Sequence, residues 1–287
     1  MQVHQNNYQQ KDNNNMKRSN LLRTAALVMA FIPGVAGAEY KLVIKGSDTL
    51  GAKLVPQLAE AYKEAGNEVS FEITAEGSST CFTNLLAGTS ELGMSSRTHK
   101  DEEADKFTAA GMDLVQHVAA WDMIAVIVNE ACPVDDLTLE QIEGIFTGDI
   151  TDWSEVGGPA GEISAYTRNT SSGTYKTFQE LAMSKRDYGS NTQKMAGNEQ
   201  IAQEVGTNPN GIGYVGLAYT KAEGIKCVSV DGNEVDPARV ADYPVARKLY
   251  YYSVGQPEGE AGKFLAWATS DAKAGKVVER VGFIPLK

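Results

Sequence analysis

The sequence predicts an α/β fold of two domains, and three observations carry that prediction. From residue 39 onward, short β-rich runs alternate with helical stretches. The alternation passes through two successive series with no Pro/Ser/Gly-rich linker between them, which favours two domains joined by strand crossovers over two separate beads. Strand after strand also ends in a Gly/Ser/Thr turn that opens a helix. The composition agrees, since 42% hydrophobic and 22% charged residues in a chain of 287 suit an ordinary globular protein with sizeable cores.

The first series opens with residues 41–45 (KLVIK), a predicted strand ending at Gly46. Residues 50–64 follow as a helix with Leu50, Leu54, Leu58 and Ala61 on one face. Residues 68–74 alternate as a second strand, 82–88 form a short helix, 92–95 a short strand and 101–110 a polar helix. Residues 114–119 and 123–129 read as two buried strands. Residues 138–146 read as a helix, with Thr138 as cap and Gln141 three positions on, a capping-box pattern. In the second series 163–167 is a strand, 174–183 and 193–204 are helices, and 212–215 is a strand. Residues 226–230 and 249–254 are further strands, the latter carrying Tyr250, Tyr251 and Tyr252 as core with one wet edge. Residues 261–269 and 272–281 close the chain as helices.

The N-terminus reads as a leader. Lys17, Arg18 and Arg23 precede a mostly apolar run over 24–32, broken by Pro33 and Gly34, and Ala36-Gly37-Ala38 offers small residues for cleavage before Glu39. The run is too short to span a bilayer, which takes about 20 apolar residues. Met16 is an alternative start. The net charge is −11, and residues 1–38 hold four basic residues (Lys11, Lys17, Arg18, Arg23) and one acidic (Asp12). Removing them leaves 22 basic and 36 acidic residues, a net charge of −14. Nucleic acid and anionic membrane are poor partners for such a surface. An anion would have to be held by local donors against the long-range field.

The recurring turns carry the chemistry. They are Gly46-Ser47-Asp48-Thr49, Gly77-Ser78-Ser79-Thr80, Ser95-Ser96-Arg97-Thr98 and Ser171-Ser172-Gly173-Thr174. First turns of helices expose unpaired N–H groups and the positive end of the dipole, hydroxyls add donors, and glycine allows close approach. Each turn alone reads as ordinary capping. Together with Arg97 and Arg168, two planar cations suited to an oxyanion, they point to a tetrahedral-anion site. Catalytic motifs are absent: His99 and His117 have no ligand-spaced partners, and there is neither a Walker-type Gly-Lys-Ser/Thr nor a Gly-x-Ser-x-Gly turn. No metal or cofactor is expected.

At these residues the sequence resembles the phosphate-binding proteins of bacterial phosphate ABC transporters, the PstS type. The shared stretches are GSDTL (46–50), GSST (77–80), GMSSR (93–97), DMIAVIVN (122–129), LTLEQIEGIFTGDITDWSEVGG (137–158), RNTSSGTY (168–175), GIGYVGLAY (211–219) and VGFIPL (281–286). The resemblance implies a two-lobe periplasmic-binding-protein fold of the class II type, with two hinge crossings and the ligand in the interlobe cleft. Lobe 1 would hold 39–126 plus 248–287, and lobe 2 would hold 127–247. It implies a monomeric periplasmic protein that binds inorganic phosphate and delivers it to a membrane permease, without catalysis. Other oxyanions (sulfate, arsenate, molybdate), a secreted phosphatase and an adhesive role are the alternatives.

The implied ligand contacts are Thr49 and the N–H of Leu50, Ser78, and from the far lobe Arg168, Ser172, Gly173 and Thr174, with Ser96 and Arg97 from the remaining turn. Many relatives place an aspartate where Ser96 stands here. A buried acceptor favours phosphate, which keeps a proton at neutral pH, over sulfate, which keeps none. Asp122 is the first choice for that acceptor, or for a partner of Arg97, and Asp48 is the second. Among Cys81, Cys132 and Cys227, the pair Cys132–Cys227 is the expected disulfide, because both fall in lobe 2 while Cys81 follows a ligand turn.

Overall fold

The computed structural model describes residues 40–286, so the leader and the cleavage before Glu39 lie outside the described residues. The first series comprises β1 (Tyr40–Gly46), α1 (Asp48–Gly51), α2 (Leu54–Glu64), β2 (Val69–Ala75), α3 (Ser78–Leu86), β3 (Leu92–Ser95) and α4 (Asp101–Ala109). Next come β4 (Leu114–Asn129), β5 (Asp136–Leu137), α5 (Leu139–Thr147), β6 (Ser164–Arg168), α6 (Gly173–Ala182), β7 (Gln193–Met195), α7 (Asn198–Thr207) and β8 (Gly211–Gly216). The chain closes with β9 (Ile225–Cys227), β10 (Ser229–Val230), β11 (Ala246–Val254), α8 (Gly259–Ser270) and α9 (Ala272–Val281). The predicted capping box at Thr138 forms, with Gln141 N donating to Thr138 Oγ1 at 3.1 Å and Thr138 N to Gln141 Oε1 at 2.9 Å.

One mixed sheet runs through the described residues in the order β2-β1-β3-β11-β4-β8-β6-β7, with β9 also on β4. The strands β1, β2 and β3 are parallel, β11 lies antiparallel between β3 and β4, and β8 continues antiparallel from β4 to the parallel β6 and β7. The two predicted strands 114–119 and 123–129 are therefore one 16-residue strand. Its polar interruption does not break it, because Asp122 pairs in register with Arg247 of β11. Met123 still faces β11, whereas Ile124 faces Gly216 of β8. This exchange of partner carries the sheet from the β1–β3 side to the β6–β8 side.

Strand alternation sorts the core. Ala125 and Ile127 of β4 join a cluster with Leu42, Leu58, Phe264 and Val277. Val126 and Val128 point the other way, to Ile142, Phe146, Phe178 and Tyr214. Each of the Val, Leu, Ile and Phe side chains among them contributes about 1.5–3 kcal/mol when fully buried. The three consecutive tyrosines are buried, as predicted.

Two predicted features are corrected. Residues 193–204 are not one helix: 193–195 pair with β6 as β7, and the helix starts at Asn198. The cysteines are all free. Cys227 pairs with Ile127 and shares its face of the sheet, while Cys132 packs in the cluster on the opposite face, so a Cys132–Cys227 bridge has no path.

Candidate functional site

Four strand ends place their turns together. Gly46 ends β1 at φ +139°, and a Cβ there would strike the carbonyl of Met94, so only glycine fits. Its carbonyl accepts from the amides of Glu76 and Gly77 at 2.9 and 2.8 Å, and Ser47 N donates to Met94 O at 2.8 Å. These bonds tie the first, second and third turns into one wall. Helix α3 begins at Ser78 rather than at the predicted residue 82, so Ser78, Ser79 and Thr80 form its first turn.

The fourth turn meets that wall. Thr49 Oγ1 lies 2.9 Å from Thr174 Oγ1, Ser78 Oγ lies 3.2 Å from Ser96 Oγ, and Ser96 Oγ lies 3.5 Å from Thr174 Oγ1. Ser96 N donates to Ser78 Oγ at 2.9 Å. Ser79 N donates across to Ser171 O at 3.0 Å. Of the predicted contacts, Thr49, Ser78, Ser96, Gly173 and Thr174 are thus brought together. Leu50 buries its side chain in the core beneath, leaving only its backbone for the site. Ser172 Oγ accepts from Tyr175 N at 3.3 Å and caps α6.

Arg168 ends β6 and is buried at 1% exposure. Its Nη2 donates to Ala196 O at 2.7 Å, and its Nη1 lies 3.1 Å from Asp48 Oδ2 without hydrogen-bond alignment. Among the described residues, Nε and Nη1 consequently have no hydrogen-bond partner. Unpaired donors on a buried cation are costly, and a bidentate acceptor would satisfy both. Asn198 links this arginine to the hydroxyls: its Nδ2 lies 2.7 Å from Asp48 Oδ2 and 3.4 Å from Thr49 Oγ1. Asn198 N also donates to Asp48 Oδ2 at 3.1 Å, so Asp48 caps α7 from the facing turn.

Two predicted roles are corrected. Arg97 makes no bond to Thr49, Ser78, Ser96 or Thr174; its guanidinium makes two 2.7 Å bonds to Glu103, donates to Thr98 O and Ser79 Oγ, and covers the Phe82 ring. Nor does it pair with Asp122, whose partner is Arg247, with Nε and Nη2 donating to Oδ2 at 2.9 and 2.8 Å. Asp122 Oδ1 accepts from Leu217 N at 2.8 Å, so both carboxylate oxygens are occupied. Burial pushes the Asp122 carboxyl above its ordinary range, and Arg247 pulls it back. Arg247 and Asn198 were missed by sequence reasoning. For Asn198 a signal existed, since β7, Ala196-Gly197-Asn198 and α7 repeat the strand–turn–helix design. Nothing in the sequence marked Arg247.

Two lobes of one curled sheet, with hydroxyl-bearing turns and a buried arginine meeting between them, define the class of two-lobed α/β substrate-binding proteins. A family model described as a PBP superfamily domain matches residues 33–272. The phosphate-binding protein PstS of Pseudomonas aeruginosa is 33% identical over 279 residues, covering 88% of this chain and 84% of that one. PstS of Bacillus subtilis is 28% identical over 255 residues, covering 88% and 83%. A protein from Clostridium perfringens, assigned as a phosphate ABC transporter substrate-binding protein and solved with bound phosphate, is 34% identical with a TM-score of 0.79, covering 86% of this chain and all of that one. An ABC-type phosphate transport receptor from Vibrio cholerae is 26% identical at a TM-score of 0.70, covering 85% of this chain and all of that one. The chain belongs to the PstS family.

Proposed function

We propose that this protein binds one inorganic phosphate between its lobes and delivers it to the permease of an ABC transporter. The observation that carries the reading is Arg168, a buried cation with two unpartnered donors, joined through Asp48 and Asn198 to hydroxyls from facing turns. The relatives are named as phosphate-binding proteins, which supports a role without catalysis. We place the lobe boundaries at 39–126 plus 248–287 and at 127–247; the change of partner along β4 after Met123 and the start of β11 at Ala246 lie close to these positions and support them. Closure would turn on these two crossings. Thr49, Ser78, Ser96, Ser172, Gly173, Thr174 and the amide of Leu50 serve phosphate together with Arg168. The leader over 1–38 and the family fit a monomeric protein exported to the periplasm.

Asp48, not Asp122, takes the phosphate proton in this reading. Both oxygens of Asp122 are engaged, whereas the bonds to Asn198 and the approach of Arg168 all fall on Oδ2 of Asp48. Calorimetric titration of ligand-stripped protein should show one phosphate per chain and much weaker sulfate. In Asp48→Asn the phosphate-to-sulfate preference should collapse, because an amide presents donor or acceptor to either anion. Sulfate binding equal to phosphate in the wild type would overturn the assignment.

Arg97 should behave as a structural residue. Arg97→Ala leaves Glu103 buried and unpaired, a loss of about 3–5 kcal/mol for a buried pair. Denaturant unfolding should show that loss while phosphate affinity stays near wild type. A large drop in affinity with unchanged stability would return Arg97 to the binding site.

A further inference from the structure

Buried charge is concentrated where the sheet passes between lobes. Asp122 and Arg247 are 0% and 4% exposed at their side chains and face each other on neighbouring strands. Each also reaches beyond the other. Asp122 Oδ1 holds the amide of Leu217, the first residue after β8. Arg247 Nη1 donates to the carbonyl of Ser96 at 3.1 Å, just past the end of β3. A continuous path of bonds therefore runs from the end of β8, through β4 and β11, to Ser96.

Stability alone does not account for such a pair. Replacing a buried ion pair with apolar residues of similar volume is often neutral or stabilising, so the pair is better explained by what it orients. What it orients is the residue at the centre of the hydroxyl cluster. The Ser96 carbonyl is fixed by Arg247, its amide by Ser78 Oγ, and its hydroxyl lies between Ser78 and Thr174. The Asp122 carboxylate also shares a wall with Thr49: a Cβ on Gly216 would lie 3.2 Å from both Asp122 Oδ2 and Thr49 Cγ2.

We propose that Asp122 and Arg247 are positioning residues for the anion site, a buried pair that registers Ser96 against the junction of β4 with β8. Neither side chain touches the ligand; both act through Ser96. The identity of the ligand rests on the phosphate reading above, but the positioning role does not, and the test separates the two.

The experiment compares wild type with Arg247→Met, Asp122→Leu and the double variant, following thermal unfolding, phosphate titration and hydrogen exchange at the Ser96 amide in ligand-free protein. Each single variant leaves one buried charge unpaired and should lose both stability and affinity. The double variant should recover its melting temperature yet remain on the order of 10-fold weaker for phosphate, with Ser96 exchange faster by about the same factor. Wild-type affinity and wild-type Ser96 protection in the double variant would overturn the proposal. Should the double variant not fold, Arg247→Lys decides the matter, because an ammonium lacks the planar fork that spans Asp122 and Ser96. Faster Ser96 exchange and weaker binding in that variant support the proposal, and unchanged values overturn it. If wild type itself ignores phosphate, the functional reading fails, and Ser96 exchange in ligand-free protein still decides the positioning role.

Discussion

Gly173→Ala is expected to cost phosphate affinity of about 100-fold or more while leaving the ligand-free fold intact. A Cβ at this position would clash with Ser78 Oγ and lie 2.6 Å from Ser96 Oγ and 2.8 Å from Ser78 Cβ. Those atoms belong to the facing wall and are held by their own bonds, so they have little room to give. Overpacking of this kind costs about 1–3 kcal/mol before any lost ligand contact is counted. Within its own helix the substitution is benign. Gly173 is the first residue of α6 and has no positive φ, and alanine is the better helix former. Calorimetry should therefore show the loss, and thermal unfolding without phosphate should show a cooperative transition whose midpoint falls by no more than that overpacking cost. Wild-type affinity in this variant would place the ligand away from the cleft.

Arg168→Ala carries the second large effect, about 2–4 kcal/mol of binding, or roughly 30- to 1,000-fold. The charge is buried, so its attraction for an anion is weakly screened. Its removal also leaves Asp48 without the cation 3.1 Å away, turning a neutralised carboxylate into one that repels phosphate. Arg168→Lys should recover little, because one ammonium cannot serve both the Ala196 carbonyl and a bidentate ligand. Ser78→Ala, which deletes one neutral hydroxyl among several, should cost about 1 kcal/mol. Equal and small losses at Arg168 and Ser78 would move the site elsewhere.

The sequence disclosed the turns but not the directions of their side chains. Gly46 and Gly77 mark places where two backbones approach, Gly173 lies against the side chains of Ser78 and Ser96, and Ser/Thr beside glycine marks a helix start, so the hydroxyl cluster was legible. The arginines were not. Arg97 and Arg168 both stand at the end of a strand, yet Glu103 six residues on draws Arg97 away from the hydroxyl cluster. Arg247 works through partners 125 and 151 positions away, a separation at which no local pattern survives. The same blindness split β4 in two, because a buried aspartate looks like an interruption until its cross-strand cation is known. It also hid Asn198, whose turn disappeared inside an overlong helix.

The place of β11 in the sheet bears on how the chain acquires its shape. Tyr250 pairs with Ser95 and Val118, so the strand that joins β3 to β4 is made long after its neighbours on both sides. Until it arrives, β3 and β4 present open edges with no hydrogen-bonding partner between them. Pairings so distant in sequence close slowly, because a long loop must be ordered before any contact rewards it. This part of the sheet therefore stays unfinished while most of the chain is synthesised, and the order of its strands delays the compact state until nearly the whole polypeptide is available.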